Sequence, residues 1–146
     1  MEYRIYTSIS KQLGISGGRT VRSHSKIDVI LIAFVSYPTD NCGARYNDGP
    51  ALDPQTVLPQ FLAHTAVTTL LQGYLNSTGI AQTYNKPFLM FETNTASCGG
   101  FPGVSDAFAA SLWALDYALQ MAYSNFSMGL FHTGGQNDSY NVSNTS

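Results

Sequence analysis

The stretch Phe88-Leu89-Met90-Phe91-Glu92-Thr93-Asn94-Thr95-Ala96-Ser97-Cys98-Gly99-Gly100 decides the fold, because it joins an apolar run to a carboxylate and then to a polar, glycine-rich loop. Such a run predicts a strand that is buried on both faces, as in parallel sheets. The ends of these strands carry the functional groups of open α/β sheets and barrels. Glu92 lies at that point, and the only other glutamate is Glu2. Glu92 is therefore the leading candidate for carboxylate chemistry, and the alternative is a helix cap or a structural hydrogen-bonding group.

Two further apolar runs predict strands on either side of this one. Residues 27–35 are rich in β-branched side chains and have the length of a buried parallel strand, and residues 130–132 form a shorter run. Residues 39–54 hold several Gly, Asn and Pro residues, which predict a long surface loop.

Two helices are predicted between these strands. The first begins at the cap Asp53, has Pro54 in its first turn and ends near Leu75. The second begins with a cap at Ser105, and we expect it to pack outside the sheet with an apolar face made of Phe108, Leu112, Leu115, Leu119 and Ala122. The order strand, helix, strand, helix, strand predicts an α/β fold with right-handed crossovers.

Charge and hydropathy exclude several kinds of partner. A formal net charge of -2 and a pI of about 5.8 leave no basic face for phosphates, so no nucleic-acid partner is expected. The run of residues 27–35 is too short to span a bilayer, and no membrane partner is expected either. The histidines lack the spacing of metal ligands, so neither a metal nor another cofactor is predicted.

Four motifs resemble the fungal β-glucuronidase and heparanase-like glycoside hydrolases of family 79. They are the opening stretch, residues 105–120, the segment Tyr37-Pro38-Thr39-Asp40-Asn41-Cys42 and the segment Leu130-Phe131-His132-Thr133-Gly134. The resemblance covers about residues 36–140. It implies a (β/α)8 barrel and a retaining glycosidase in which the carboxylate that closes the seventh strand is the nucleophile. By position that residue is Glu92.

The length of the chain limits how much of such a barrel it holds. A (β/α)8 barrel needs roughly 250 residues, or at least about 200, whereas this chain has 146. We expect a partial TIM barrel with about strands six to eight and their helices over residues 27–136. A poorly ordered leader, residues 1–26, and a polar tail, residues 137–146, flank it. The resemblance also implies that the general acid/base glutamate, which the family takes from the fourth strand, is absent here.

Four residues besides Glu92 are candidates for substrate binding by this resemblance. Tyr37 would stack on a sugar or donate to the nucleophile, or only fill space at the rim. Asn94 would orient Glu92 or contact sugar hydroxyls, or only satisfy a turn. His132 would hydrogen-bond the substrate, while Gly134 presents a backbone donor to a uronate carboxylate; a structural His132 is the alternative.

The family pattern is not complete in this chain. The family commonly has a histidine before the Tyr-Pro pair, where this chain has Ser36. No Lys or Arg follows Lys86, so an anionic substrate would be bound there by backbone N–H groups, hydroxyls and Asn side chains.

Cys42 and Cys98 fall in neighbouring strand-to-helix loops, where a disulfide at the rim of the pocket is geometrically possible. The alternative use is Cys98 as a nucleophile with His132 as its base. Several sequons favour secretion of the parent enzyme as a glycoprotein, at Asn76, Asn125, Asn137, Asn141 and Asn144. A tail that is merely rich in Ser, Thr and Asn is the alternative, and this chain contains no signal peptide.

These observations predict a fragment of a retaining β-glucuronidase-like glycoside hydrolase that cleaves a β-linked uronic acid from glycans or glycoconjugates. Its partner would be a carbohydrate substrate, and Glu92 would be the nucleophile. The alternative is a non-catalytic remnant, or a carbohydrate-binding or interaction module that lacks the acid/base residue.

Overall fold

The structure is a computed structural model that describes residues 32–100 and 102–133. The elements in chain order are β1 (Ile32–Val35), β2 (Thr39–Asp40), α1 (Cys42–Tyr46), α2 (Pro54–Phe61), α3 (His64–Gln72), α4 (Leu75–Thr83), β3 (Phe88–Thr93), β4 (Ala96–Ser97), α5 (Phe108–Tyr123) and β5 (Met128–Phe131). The predicted leader (1–26), the predicted tail (137–146) and Gly134 lie outside the described residues.

The main sheet is parallel and has the order β1-β3-β5, so that the strand which ends at the candidate carboxylate is the central one. Ile32 pairs with Phe88 of β3, and Leu89 of β3 pairs with Met128 of β5. This confirms the predicted α/β class with parallel strands. The described residues do not form a complete barrel.

One extra residue interrupts the register of β3. Met90 pairs with Phe34 of β1, whereas Glu92 pairs with the next residue, Val35, so that the register between these two strands skips Phe91. The register with β5 is irregular over the same part of β3. Such a bulge breaks the alternation of side chains between the two faces of a sheet.

The core lies between the sheet and the helices α3 and α5. The sheet contributes Phe34, Phe88 and Met90, and the helices contribute Val67, Leu71, Trp113, Tyr117 and Met121. Trp113 and Tyr117 stack with ring centroids 4.9 Å apart, and both meet the edge of the Phe131 ring. This aromatic cluster fixes α5 against β5.

The face of α5 that is buried differs from the one predicted. Trp113, Tyr117 and Met121 are buried, whereas the predicted apolar face is exposed, including Leu112, Leu115 and Leu119. The helix is apolar around most of its circumference, so the spacing of its leucines did not single out the packing side. The large aromatic rings, which bury the most surface, decided it.

The start of α5 was also predicted wrongly. The residue that caps the helix is Ala107 rather than Ser105, and its side chain forms no capping hydrogen bond. The hydroxyls of Ser105 and Thr95 are 2.7 Å apart, and Asp106 accepts from the N–H of Gly103 at 2.6 Å. These two side chains stabilise the loop before the helix and are therefore not available to cap it.

The first predicted helix is divided into two, α2 and α3, and a third helix, α4, follows where it was expected to end. Its cap is as predicted, since Asp53 accepts from Gln55 N–H and Pro54 begins the helix. However, α2 contains Pro59, which lacks the N–H needed to continue the hydrogen-bond ladder. Ala63 is extended and separates α2 from α3. Near residue 75, where the predicted helix was expected to end, α4 begins. The predicted surface loop likewise contains the short elements β2 and α1.

Candidate functional site

Glu92 lies at the end of the central strand and faces a cleft of about 630 Å³. Its side chain is 42% exposed, and Thr93, the next residue, is fully buried. The bulge at Phe91 allows Phe91 and Glu92 both to be partly exposed on the open side of the sheet. The carboxylate is therefore reachable by a ligand.

Residues from the ends of both neighbouring strands contact this carboxylate. The hydroxyl of Tyr37, two residues after β1, donates to Glu92 Oε1 at 2.7 Å. His132, directly after β5, places Nδ1 3.3 Å from the same oxygen. Three strand ends thus converge on one carboxylate. Donation from Tyr37 to this carboxylate was one of the alternatives that the sequence offered, whereas His132 was expected to contact the substrate.

Asn94 connects the ends of β3 and β5. Its Nδ2 donates to the carbonyl of His132 at 2.6 Å, and its Oδ1 accepts from the N–H of Thr95 at 2.7 Å. The N–H of His132 in turn donates to the carbonyl of Thr93 at 2.8 Å. Asn94 is itself buried, so this amide holds the backbone of His132 in place. A contact between Asn94 and a sugar stays a prediction.

The loops that follow β1 and β3 are joined along the rim of the cleft. The two-residue strands β2 and β4 pair in parallel, and the hydroxyl of Thr39 donates to the carbonyl of Thr95 at 2.9 Å. Asn41 Nδ2 donates to the carbonyl of Gly100 at 2.9 Å. A disulfide links Cys42 to Cys98. This segment, called the rim clamp below (residues 39–42 with 95–100), anchors the loop that carries Tyr37.

The rim clamp depends on a left-handed backbone. Cys98, Gly99 and Gly100 all have positive φ angles, of 60°, 90° and 71°, a conformation that glycine adopts without steric cost. The sulfur of Cys98 is in the disulfide, so Cys98 is not a nucleophile in this state.

Behind the strand end, two hydroxyls face each other in the core. The hydroxyls of Thr93 and Tyr117 are buried, and neither forms a hydrogen bond within the usual distance and angle limits with the described residues. Burial raises the pKa of the Tyr117 hydroxyl, the Thr93 hydroxyl partly opposes this, and Tyr74 adds to it.

Sequence reasoning missed several residues that line the cleft. They are Val35, Ser36, Pro38, Thr39, Asp40, Leu70 and Ser97. Ser36 is buried, and its N–H donates to the carbonyl of Glu92 at 3.1 Å. Ser36, Thr39 and Asp40 could have been found from the sequence, because they flank the candidate residue Tyr37. Leu70 could not, because it lies in a helix that carries no functional motif.

Within the described residues, no group of His, Cys, Asp and Glu side chains has the geometry of a metal site. No helix among residues 32–100 and 102–133 has both the length and the apolar character needed to cross a bilayer.

Comparison with known proteins finds similarity at the level of structure. No protein-family model matches the sequence, and no curated protein matches it. A solved structure of a 4-O-alpha-L-rhamnosyl-beta-D-glucuronidase from Fusarium oxysporum 12S, in complex with Rha-GlcA, matches 80% of this chain with a TM-score of 0.64 and 24% identity. The two chains share a fold. This chain spans only 23% of the length of that glucuronidase.

Proposed function

We propose that this chain is part of a retaining glycoside hydrolase of the β-glucuronidase type, in which β1, β3 and β5 correspond to strands six, seven and eight of a (β/α)8 barrel. The observation that carries the proposal is the convergence of Tyr37 and His132 on the carboxylate of Glu92 beside an open cleft. The fold shared with the fungal glucuronidase supports the barrel assignment.

In this proposal Glu92 is the nucleophile. Retaining glycosidases use one carboxylate to attack the anomeric carbon while the glycosidic C–O bond breaks, and a second carboxyl group protonates the leaving oxygen. Tyr37 and His132 both approach Oε1, and the described residues donate no hydrogen bond to Oε2. Oε2 therefore keeps its lone pairs for attack, while the contacts to Oε1 hold the carboxylate in orientation.

The proposed substrate class is a β-linked uronide, in glycans or glycoconjugates. The neighbour is named as a glucuronidase and binds Rha-GlcA. The cleft offers neutral donors, since Ser36, Thr39 and Ser97 line it, and hydroxyls can hydrogen-bond both sugar hydroxyls and a uronate. The backbone N–H of Gly134 is proposed as a further donor. The disulfide and the sequons support secretion of the parent enzyme.

A second candidate function is glycan binding without cleavage. The acidic residues that line the described cleft are Glu92 and Asp40, and Asp40 accepts from the N–H of Cys42 at 3.3 Å in the rim clamp. This hydrogen bond holds the Asp40 carboxylate in the turn before α1. No other acid lies in the described cleft to protonate a leaving group, which favours binding without cleavage.

The test uses a 2-deoxy-2-fluoro-β-glucuronide with a dinitrophenolate leaving group. A leaving group of low basicity departs without a general acid, so the reagent reports on the nucleophile even where the acid/base residue is missing. We expect one covalent adduct by mass spectrometry, on the peptide that contains Glu92. Glu92→Gln removes the adduct, and Asp40→Asn, in the same cleft, keeps it.

The outcomes separate the two functions. An adduct on another residue, or equal labelling of the Glu92→Gln variant, contradicts the assignment of the nucleophile. Absence of any adduct together with saturable binding of a glucuronide, measured by calorimetry, would establish the second candidate instead.

A further inference from the structure

The turn between α5 and β5 carries an asparagine in the N-glycosylation acceptor pattern, Asn125-Phe126-Ser127. Asn125 has a positive φ of 64°, which asparagine tolerates better than most residues. Asn125 is exposed, whereas its neighbours Ser124 and Phe126 are only 4% and 8% exposed. The turn therefore presents this one residue at the surface.

The backbone of the turn and the Phe126 ring hold it in place. The N–H of Asn125 donates to the carbonyl of Ala122 at 3.2 Å, and the N–H of Phe126 donates to the carbonyl of Met121 at 3.0 Å. The Phe126 ring packs edge-on against Phe88 with centroids 4.9 Å apart. The side-chain amide of Asn125 makes no hydrogen bond with another described residue. A sugar attached to this amide would therefore break no contact among the described residues.

The other acceptor pattern within the described residues has a different setting. Asn76-Ser77-Thr78 lies inside α4. Thr78 is 2% exposed, and its hydroxyl donates to the carbonyl of Leu75 at 2.9 Å. The pattern requires a hydroxyl at its third position, and in α4 that hydroxyl is buried once the helix has formed. At the α5–β5 turn both Asn125 and Ser127 are exposed.

The position of the turn in the sheet leaves it open when more strands are added. The N–H of Ser127 donates to the carbonyl of Phe88 at 2.8 Å, so the turn lies at the amino ends of β3 and β5. Further strands of a parallel sheet pair sideways with the edge strands β1 and β5. Glu92 lies four residues beyond Phe88, about 13 Å along the strand. A glycan on Asn125 would therefore project from the end of the sheet opposite to the cleft.

A groove of about 660 Å³ adjoins Asn125. Amide, ammonium and hydroxyl groups line it, from Gln82, Asn85, Lys86 and Ser127. These groups donate hydrogen bonds, and the amides and the hydroxyl also accept them, as sugar hydroxyls require. The first sugars of a glycan would therefore find hydrogen-bonding partners beside their attachment point.

We propose that Asn125 is an N-glycosylation site of this protein. In the transfer, Asn125 Nδ2 forms a bond to the anomeric carbon of a lipid diphosphate-linked oligosaccharide. The bond from that carbon to the diphosphate oxygen breaks, the lipid diphosphate leaves with the electron pair, and Nδ2 releases one proton to a base. The proposal does not depend on the glycosidase function.

The first test maps the modification. The chain is directed into the endoplasmic reticulum of a yeast host by a secretion signal, and both the secreted and the retained protein are treated with N-glycosidase in heavy-oxygen water. This treatment turns a glycosylated asparagine into a labelled aspartate. We expect mass spectrometry to find the label at residue 125. Ser127→Ala should abolish it, and the matched variant Ser127→Thr, which restores the hydroxyl of the pattern, should keep it.

Asn125→Gly is a second variant that removes the acceptor and still allows the positive φ of the turn. It should lose the same label. Unmodified Asn125 in the wild-type protein overturns the proposal, as does a label at residue 125 that Ser127→Ala retains.

The second test asks whether the site is open in the folded protein. An endoglycosidase that cuts between the first two sugars should trim the glycan of Asn125 without denaturant, because the turn is at the surface. Trimming that takes place only after denaturation would contradict the outward position of the glycan. The fluorescence of the buried Trp113 verifies that the protein stays folded during the digestion.

Discussion

The rim clamp makes a quantitative prediction about the disulfide. Cys42 and Cys98 are 56 residues apart in sequence, so the bond removes the entropy of closing a long loop from the unfolded chain. The loop-entropy relation gives about 4 kcal/mol at 25 °C for a loop of this length. We therefore expect the double variant Cys42→Ser, Cys98→Ser to lose about 4 kcal/mol of unfolding free energy, while the backbone pairing of β2 with β4 still holds the rim together in the folded state.

The assay is urea unfolding followed by the fluorescence of Trp113. This is the single tryptophan of the chain, and it is 2% exposed, so it reports on the core. With a urea dependence of about 2 kcal/mol per molar, typical of small proteins, the midpoint should fall by about 2 M. Wild-type protein in reductant is the control and should behave like the double variant. A loss below about 1 kcal/mol would refute the loop-entropy argument, since it would mean that the unfolded chain keeps these loops together.

Two further predictions concern tyrosines. Tyr37→Phe removes the 2.7 Å hydrogen bond to Glu92 and should slow labelling by the fluoro-glucuronide about tenfold. This corresponds to about 1.4 kcal/mol, near the lower limit for a hydrogen bond to a charged group. The control is Tyr46→Phe, at a 68% exposed tyrosine, and an unchanged labelling rate for Tyr37→Phe would exclude the orienting role. Tyr117→Phe should raise the unfolding free energy by about 1 kcal/mol at neutral pH, because a buried hydroxyl without a complete hydrogen bond is removed. Burial raises the pKa of Tyr117 above its ordinary value of 10.0, so as the pH rises the unfolded chain loses this proton before the folded protein does. The stability that is present below pH 10.0 is therefore lost above it. Urea titrations at alkaline pH should show a shallower loss of stability for Tyr117→Phe than for wild type, and an equally steep loss would contradict the raised pKa of Tyr117.

Local patterns predicted much of the order of the elements. The apolar run that ends at Glu92 and the shorter run near residue 130 both became strands of one parallel sheet. The expected burial on both faces was wrong, since Phe91 on β3 and Leu130 on β5 are exposed. The cap at Asp53 was readable as well, since it depends on neighbouring residues alone. The break between α2 and α3 at Ala63 was less so, because the helical spacing of apolar residues continues across it.

The sequence by itself determined the α/β class and the position of Glu92 at a strand end, because apolar length and turn residues act over a few neighbouring positions. Only the tertiary structure decided which face of α5 is buried, since that depended on how Trp113 and Tyr117 fit against Phe131. The bulge that leaves Glu92 open to the cleft follows from hydrogen-bond register between strands far apart in sequence. The convergence of Tyr37 and His132 on one carboxylate oxygen has the same origin, because sheet pairing rather than local propensity brings their strand ends together.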